Sequence, residues 1–210
     1  MALIYRAQLR PSKKDLIAAW LPAQPWYSGV HPSELQHIGA YRFDDPAGEV
    51  GMEAHLVAVD GVVFHVPLTY RGAPLDGADE WLVGTMEHSV LGRRWVYDGC
   101  GDPVYIAALV TTMMAHQPQA DELVDGEAEP REWTVRVHSE GPVVHRVPRI
   151  GRPAPVTEDG VTVIRSGDLV ISVSRTVDLT GHIGGNWALT GRWDGLPHPV
   201  QLAAVTSEGH

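Results

Sequence analysis

Cysteine occurs once in the 210 residues, at Cys100, so neither an intramolecular disulfide nor a four-cysteine zinc site can be built. Lysine occurs twice, as the adjacent pair Lys13 and Lys14, and every other cation is an arginine. Positive charge is scarce overall: 16 Lys and Arg face 26 Asp and Glu, and a net charge of -10 opposes a polyanion, which excludes nucleic acid as a partner. No stretch approaches the roughly 20 apolar residues that cross a bilayer, and the N-terminal "MALIYRAQLR" has no apolar run behind its charges. These absences predict neither export nor a membrane span, and a cytoplasmic location.

Several motifs are missing too. There is no GxxxxGK[ST] phosphate loop, no GxSxG elbow, and no HExxH, HxH or CxxC spacing despite 11 histidines. "GCGDPV", from Gly99, begins like a dinucleotide fingerprint and then lacks its third glycine. His55 and His65 flank a turn and are expected to face each other across a hairpin as surface cover; geometry, more than a count of histidines, makes a metal site. The sequence calls for no metal and no cofactor.

What is present reads as antiparallel strands with two helices. Hydrophobic residues make up 44% of the chain, enough for a core without staples. Ser12 is placed to cap a short helix carrying Leu16, Ile17, Trp20 and Leu21, which Pro22 and Pro25 stop; Trp20 and Trp26 are expected to anchor it on a sheet. In "AHLVAVDGVVFHVPLTY" the Asp60-Gly61 pair supplies the positive φ angles of a tight hairpin turn. "EWLVGTMEHSV" and "RRWVYDG" read as two more strands, and "DPVYIAALVTTMMAHQ" changes to helical spacing, with Val104, Ala107 or Ala108, and Thr111 on one side and Ile106, Leu109, Val110 and Met113 on another, a mostly buried helix.

The segment 118–132 concentrates six acidic residues with little apolar content and reads as a loop. Beyond it, "EWTVRVHSEG", "PVVHRVPR", "GVTVIRSG", "DLVISVSRTVDL", "NWALTGRW" and "PVQLAAVT" are short, β-branched and punctuated by Gly, Pro and Asp. They predict six strands in a sandwich or small barrel, or as an extension of the first sheet, between which the sequence does not choose. The expected organisation is an α+β region over 1–120, an acidic linker over 121–132 and a β-rich region over 133–210.

Reactive-looking side chains crowd into "GTMEHSVLGRRWVYDGCGDPVY". Glu87, Asp98 and Asp102 are the acid–base candidates, Arg94 an anion contact, and Trp95 and Tyr97 flat faces for a sugar ring. A simpler reading of the same residues is architectural. Alternation puts Trp95 and Tyr97 on one face, the glycines turn the chain, Asp102 caps the second helix and Pro103 takes its first position. Cys100, ahead of that helix, reads as a small buried turn residue more than as a nucleophile. No catalytic residue is assigned.

Taken in order, "WLPAQPWY", "YRFDDPAGEVGMEAHLV", "VPLTYR" and "VYDGCGDP" leading into a helix resemble the N-terminal cap domain of bacterial maltokinases. They are most similar to the small stand-alone cap-like proteins often labelled 1,4-α-glucan branching proteins. The resemblance covers about the first 120 residues. It implies a curved antiparallel sheet with flanking helices, set in the kinases ahead of a separate phosphotransferase part. None of that part's elements occurs here: there is no Gly-rich nucleotide loop and no His-Gly-Asp followed by Asn, the only asparagine being Asn186. The two lysines sit at the start of a helix, not on the strand where such a kinase holds its phosphates. A branching enzyme's catalytic barrel needs about 250 residues of alternating strand and helix, which this β-rich chain lacks.

The resemblance therefore implies a non-catalytic accessory or regulatory protein that binds a partner enzyme or a saccharide in α-glucan, maltose or trehalose metabolism. The alternatives are an enzyme acting on a saccharide or sugar phosphate through Glu87 and Asp98, and a ligand-binding β-barrel with a deep apolar cavity in the second half.

Overall fold

The computed structural model describes residues 2–27 and 34–207. Two short strands, β1 (Ala2–Ile4) and β2 (Leu9–Arg10), precede helix α1 (Lys13–Trp20). The helix starts where the sequence places it: Ser12 Oγ accepts the Asp15 N–H, and the Asp15 carboxylate returns to the Ser12 N–H, a capping box that satisfies two otherwise orphaned donors.

Strands β3 (Gln36–Phe43), β4 (Gly51–Val59), β5 (Val62–Arg71), β6 (Leu82–His88) and β7 (Gly92–Asp98) complete a six-stranded antiparallel sheet with β2, in the order β2-β6-β7-β5-β4-β3. Asp60 and Gly61 have φ of 50° and 80°, the two positive angles their hairpin turn needs. The register sets His55 against Val66 and His65 against Leu56. The two histidines therefore point to opposite faces, not at each other as expected, because side chains alternate with period two and their partners are one residue out of step.

Helix α2 (Pro103–Ala115) begins as read, with Asp102 accepting the Val104 N–H and Pro103 in the first turn, and it buries Ile106, Leu109, Val110 and Met113. In the acidic segment β8 (Glu122–Val124) pairs in parallel with β1. A second six-stranded antiparallel sheet follows: β9 (Val135–Glu140), β10 (Val156–Glu158), β11 (Val161–Ser166), β12 (Leu169–Ser174), β13 (Trp187–Trp193) and β14 (Val200–Ser207), in the order β10-β11-β12-β14-β13-β9.

The chain is thus α+β. Between the expected sandwich and barrel, the second sheet is open, with β10 and β9 on opposite edges, so no barrel closes. Its inner face carries Ile171, Val173, Leu189 and Val205 into one hydrophobic core with α2 and with Tyr41, Phe43, Met52 and Leu56 of the first sheet. The other face of the first sheet is covered by α1 and the segment after it: Leu16, Ile17, Leu21 and Trp26 pack on Val57, Phe64, Val66, Met86 and Val96.

The expected strand "PVVHRVPR" is not a strand. From Gly141 to Pro155 the chain runs without helix or sheet hydrogen bonding. Pro142 and Pro148 have no N–H to give a ladder, and every third residue turns inward, where a half-buried strand would alternate.

Candidate functional site

An open cleft of about 550 Å³ lies on the α1 side of the first sheet, between the N-terminal segment, the β3–β4 turn and the β6–β7 hairpin. Two of its lining side chains, Lys13 and Arg42, converge on a buried carboxylate behind it. Glu53, 7% exposed in β4, receives Lys13 Nζ from α1 and Arg42 from β3 at 3.3 Å, and lies 3.5 Å from His55 Nε2. Tyr70 joins through a 3.1 Å bond between its hydroxyl and His55 Nε2, and Lys13 Nζ stands 5.3 Å from the Tyr70 ring centre. Burial works to raise the Glu53 carboxyl, and Lys13, His55 and Arg42 together outweigh it and hold it well below its usual range. Burial, then the Glu53 charge, pushes the Tyr70 phenol well up, so it stays protonated.

Lys13, Arg42, Tyr5 and Tyr70 line the cleft with Arg94 of β7, while Asp44, Asp45 and Glu49 stand along its rim. Asp45 organises that rim by accepting the backbone N–H groups of Ala47, Glu49 and Val50. Arg94 gives Nη2 to the Leu91 carbonyl, its Nε has no partner, and no ion pair engages it among the described residues. The cleft combines guanidinium and ammonium donors, carboxylate acceptors and two tyrosine rings, a set that suits a polyhydroxylated ligand.

Of the residues singled out in the sequence, only Arg94 lines this cleft. Glu87 lies opposite Arg93 and pairs with it at 2.9 Å, both side chains 60% exposed, on the face of the hairpin away from Arg94. Trp95 and Tyr97 share that other face, as alternation predicts, and the Tyr97 hydroxyl accepts the Leu75 N–H at 2.9 Å. Asp102 is fully buried. It accepts Arg71 Nε and Nη2 and Thr69 Oγ1, each at 2.7 Å, besides capping α2. Asp98, 2% exposed, accepts the Cys100 N–H and Arg175 Nη2 at 2.5 Å. Both aspartates are saturated with structural partners and reach no open space. Cys100 is fully buried, and burial pushes its thiol well up, which leaves no thiolate for nucleophilic work. Gly101 is required by packing, since a Cβ there would lie 2.1 Å from the Trp81 ring.

Five of the six strands of this sheet fall within a match to a known domain. Residues 20–102 match the maltokinase N-terminal cap domain. The cap match begins at the last residue of α1 and ends on the residue that caps α2, so it spans β3 to β7, under half of the chain. Most of the cleft falls inside the matched region, and Tyr5, Ala7, Leu9 and Lys13 are added from outside it. No curated protein matches the chain.

Sequence reasoning missed Glu53, Lys13, Arg42 and Arg175. The available signals were an acid set in the otherwise apolar run "GMEAHLVAV" and an arginine in "VISVSRTVDL", since a charge inside a β-branched run is buried with a partner.

Proposed function

We propose that this protein is a non-catalytic accessory protein, related through its cap region to the maltokinases and akin to the stand-alone cap-like proteins, that binds a saccharide of maltose, trehalose or α-glucan metabolism in the cytoplasm. The observation that carries the reading is the confinement of the family match to residues 20–102, where the acid–base candidates Asp98 and Asp102 are held in buried ion pairs. The Lys13, Arg42, Tyr70 and Arg94 cleft supports the saccharide part, since its volume lies within the range of small-molecule sites, roughly 300–1,000 Å³.

A thermal-shift series against maltose, maltooligosaccharides, trehalose, maltose 1-phosphate and ATP tests it. A ligand at 100 times its dissociation constant adds about 2.7 kcal/mol to unfolding. Arg94→Ala is expected to abolish the shift while leaving the free protein's transition in place. Absence of any saccharide shift, or turnover of one of these compounds, overturns the reading.

A further inference from the structure

Charge is divided unevenly along the chain. Up to Glu132 there are nine Lys and Arg against nineteen Asp and Glu; beyond it there are seven of each, so residues 1–132 carry the whole excess of negative charge. Within the second half the charges separate again. Between Glu140 and Glu158 there is no acidic residue, and Arg146, Arg149 and Arg152 follow one another at intervals of three.

This is the segment that failed to become a strand. Val144, Val147 and Ile150 turn inward to pack on the main core and Pro153 is buried, while Arg146, Arg149 and Arg152 are exposed with the same period. The inward and outward positions both recur every three residues, and the chain bends at His145 and Arg146. The strap is tied down along its length. The Val144 N–H donates to the Met114 carbonyl at 2.7 Å, the Gly151 N–H to Ser166 Oγ at 3.1 Å, and Arg152 Nη2 to the Asp76 carbonyl at 3.2 Å. No hydrogen bond or ion pair to the described residues engages Arg146 or Arg149.

We propose that the strap from Gly141 to Pro155 is a docking site for an extended acidic segment of a partner protein. Guanidinium groups take carboxylates through two parallel hydrogen bonds, and a backbone already fixed by prolines and by the core loses little freedom when a ligand is seated. A short acidic segment meets the unpartnered pair Arg146 and Arg149, while Arg152 is already held by the Asp76 and Gly77 carbonyls. A long polyanion overruns it and meets the negative excess of residues 1–132, which is why a peptide and not nucleic acid is the occupant. The strap lies outside the cap match and does not depend on the saccharide cleft.

The test is fluorescence anisotropy of the whole protein with a labelled oligoglutamate peptide of roughly ten residues, long enough when extended to reach both Arg146 and Arg149, and an oligoglutamine control. Binding of the glutamate peptide alone, weakening between about 50 and 200 mM salt as the Debye length shortens, is expected. Arg146→Gln with Arg149→Gln should reduce affinity about tenfold or more with an unchanged thermal transition, since both side chains are exposed and unpaired. Three results overturn the proposal: no binding, binding undiminished in the double variant, or equal affinity for a DNA duplex. Salt-sensitive self-association that the same double variant removes also overturns it, because the occupant is then a second copy.

Discussion

His65 shows how much a single side chain is decided by partners far along the chain. It is fully buried on the core face of β5, its Nδ1 3.0 Å from the Ser174 carbonyl and its Nε2 2.9 Å from the Tyr41 hydroxyl. A carbonyl can only accept, so the proton sits on Nδ1 and the phenol donates to Nε2. Burial, reinforced by the Arg175 charge, pushes the imidazole down to about 3. The unfolded chain binds a proton at the ordinary value of 6.5 and the folded one does not, so stability is full above pH 6.5 and falls as pH drops towards 3. Unfolding in denaturant is expected to lose up to about 1.4 kcal/mol per pH unit from this group in that window. His65→Gln should flatten the dependence there, and an unchanged slope would remove His65 as its source. Glu53 acts in the same direction lower down, its contribution present above its ordinary 4.5 and lost as pH falls through its depressed folded value. Neither effect is legible in sequence, where His65 is one of 11 histidines. Asp102 as a cap was legible, because the N–H it accepts lies two residues away.

Among elements, the informative place is the seam where the two sheets meet. Strand β7 pairs with β5 only along Leu68 to Arg71, and the vacant edge of β5 is taken by the chain leaving β12. The His65 N–H donates to the Arg175 carbonyl and the Val177 N–H to the Val63 carbonyl. Arg175, 1% exposed, then threads between Asp98 and the Trp26 ring, 5.4 Å away, and gives Nε to Thr162 at 2.7 Å. Replacing one partner leaves the other charged and unpaired in the interior. Arg175→Met is expected to lower unfolding free energy by about 3–5 kcal/mol, and adding Asp98→Asn should recover part of that. Equilibrium denaturation of both variants measures it, and a cost under about 1 kcal/mol would place the bond among minor surface pairs. Free edges elsewhere are also covered: the Gln119 side chain donates to the Val135 carbonyl and accepts the Val137 N–H along the outer edge of β9. Apart from the short edge strands β2 and β10, the strands of both sheets were readable from alternation and turn residues. The strap was not, since its valines and isoleucine imitate a strand until their period of three is noticed.

For the molecule as a whole, one core joins the first sheet, α2 and the second sheet, so neither sheet buries its inner face without the other. Unfolding is accordingly expected to be one cooperative transition, with coincident curves from tryptophan fluorescence and from backbone circular dichroism. Two separated transitions would show that residues 1–120 and 133–210 hold their own stability. No helix among the described residues is long and apolar enough to cross a membrane.

The sequence by itself determined what short-range chemistry decides: the Asp60-Gly61 turn, the Ser12 and Asp102 caps, the helical period of α2 and the antiparallel α+β class. Each depends on residues within a few positions of one another, where backbone angles and hydrogen-bond spacing leave little choice. Only the tertiary structure decided which charges are structural and which face open space. Lys13 meets Glu53 across 40 residues, Arg71 meets Asp102 across 31 and Arg175 meets Asp98 across 77. A carboxylate's chemistry follows from its solvation and its neighbours, and those are set when the sheets close on each other.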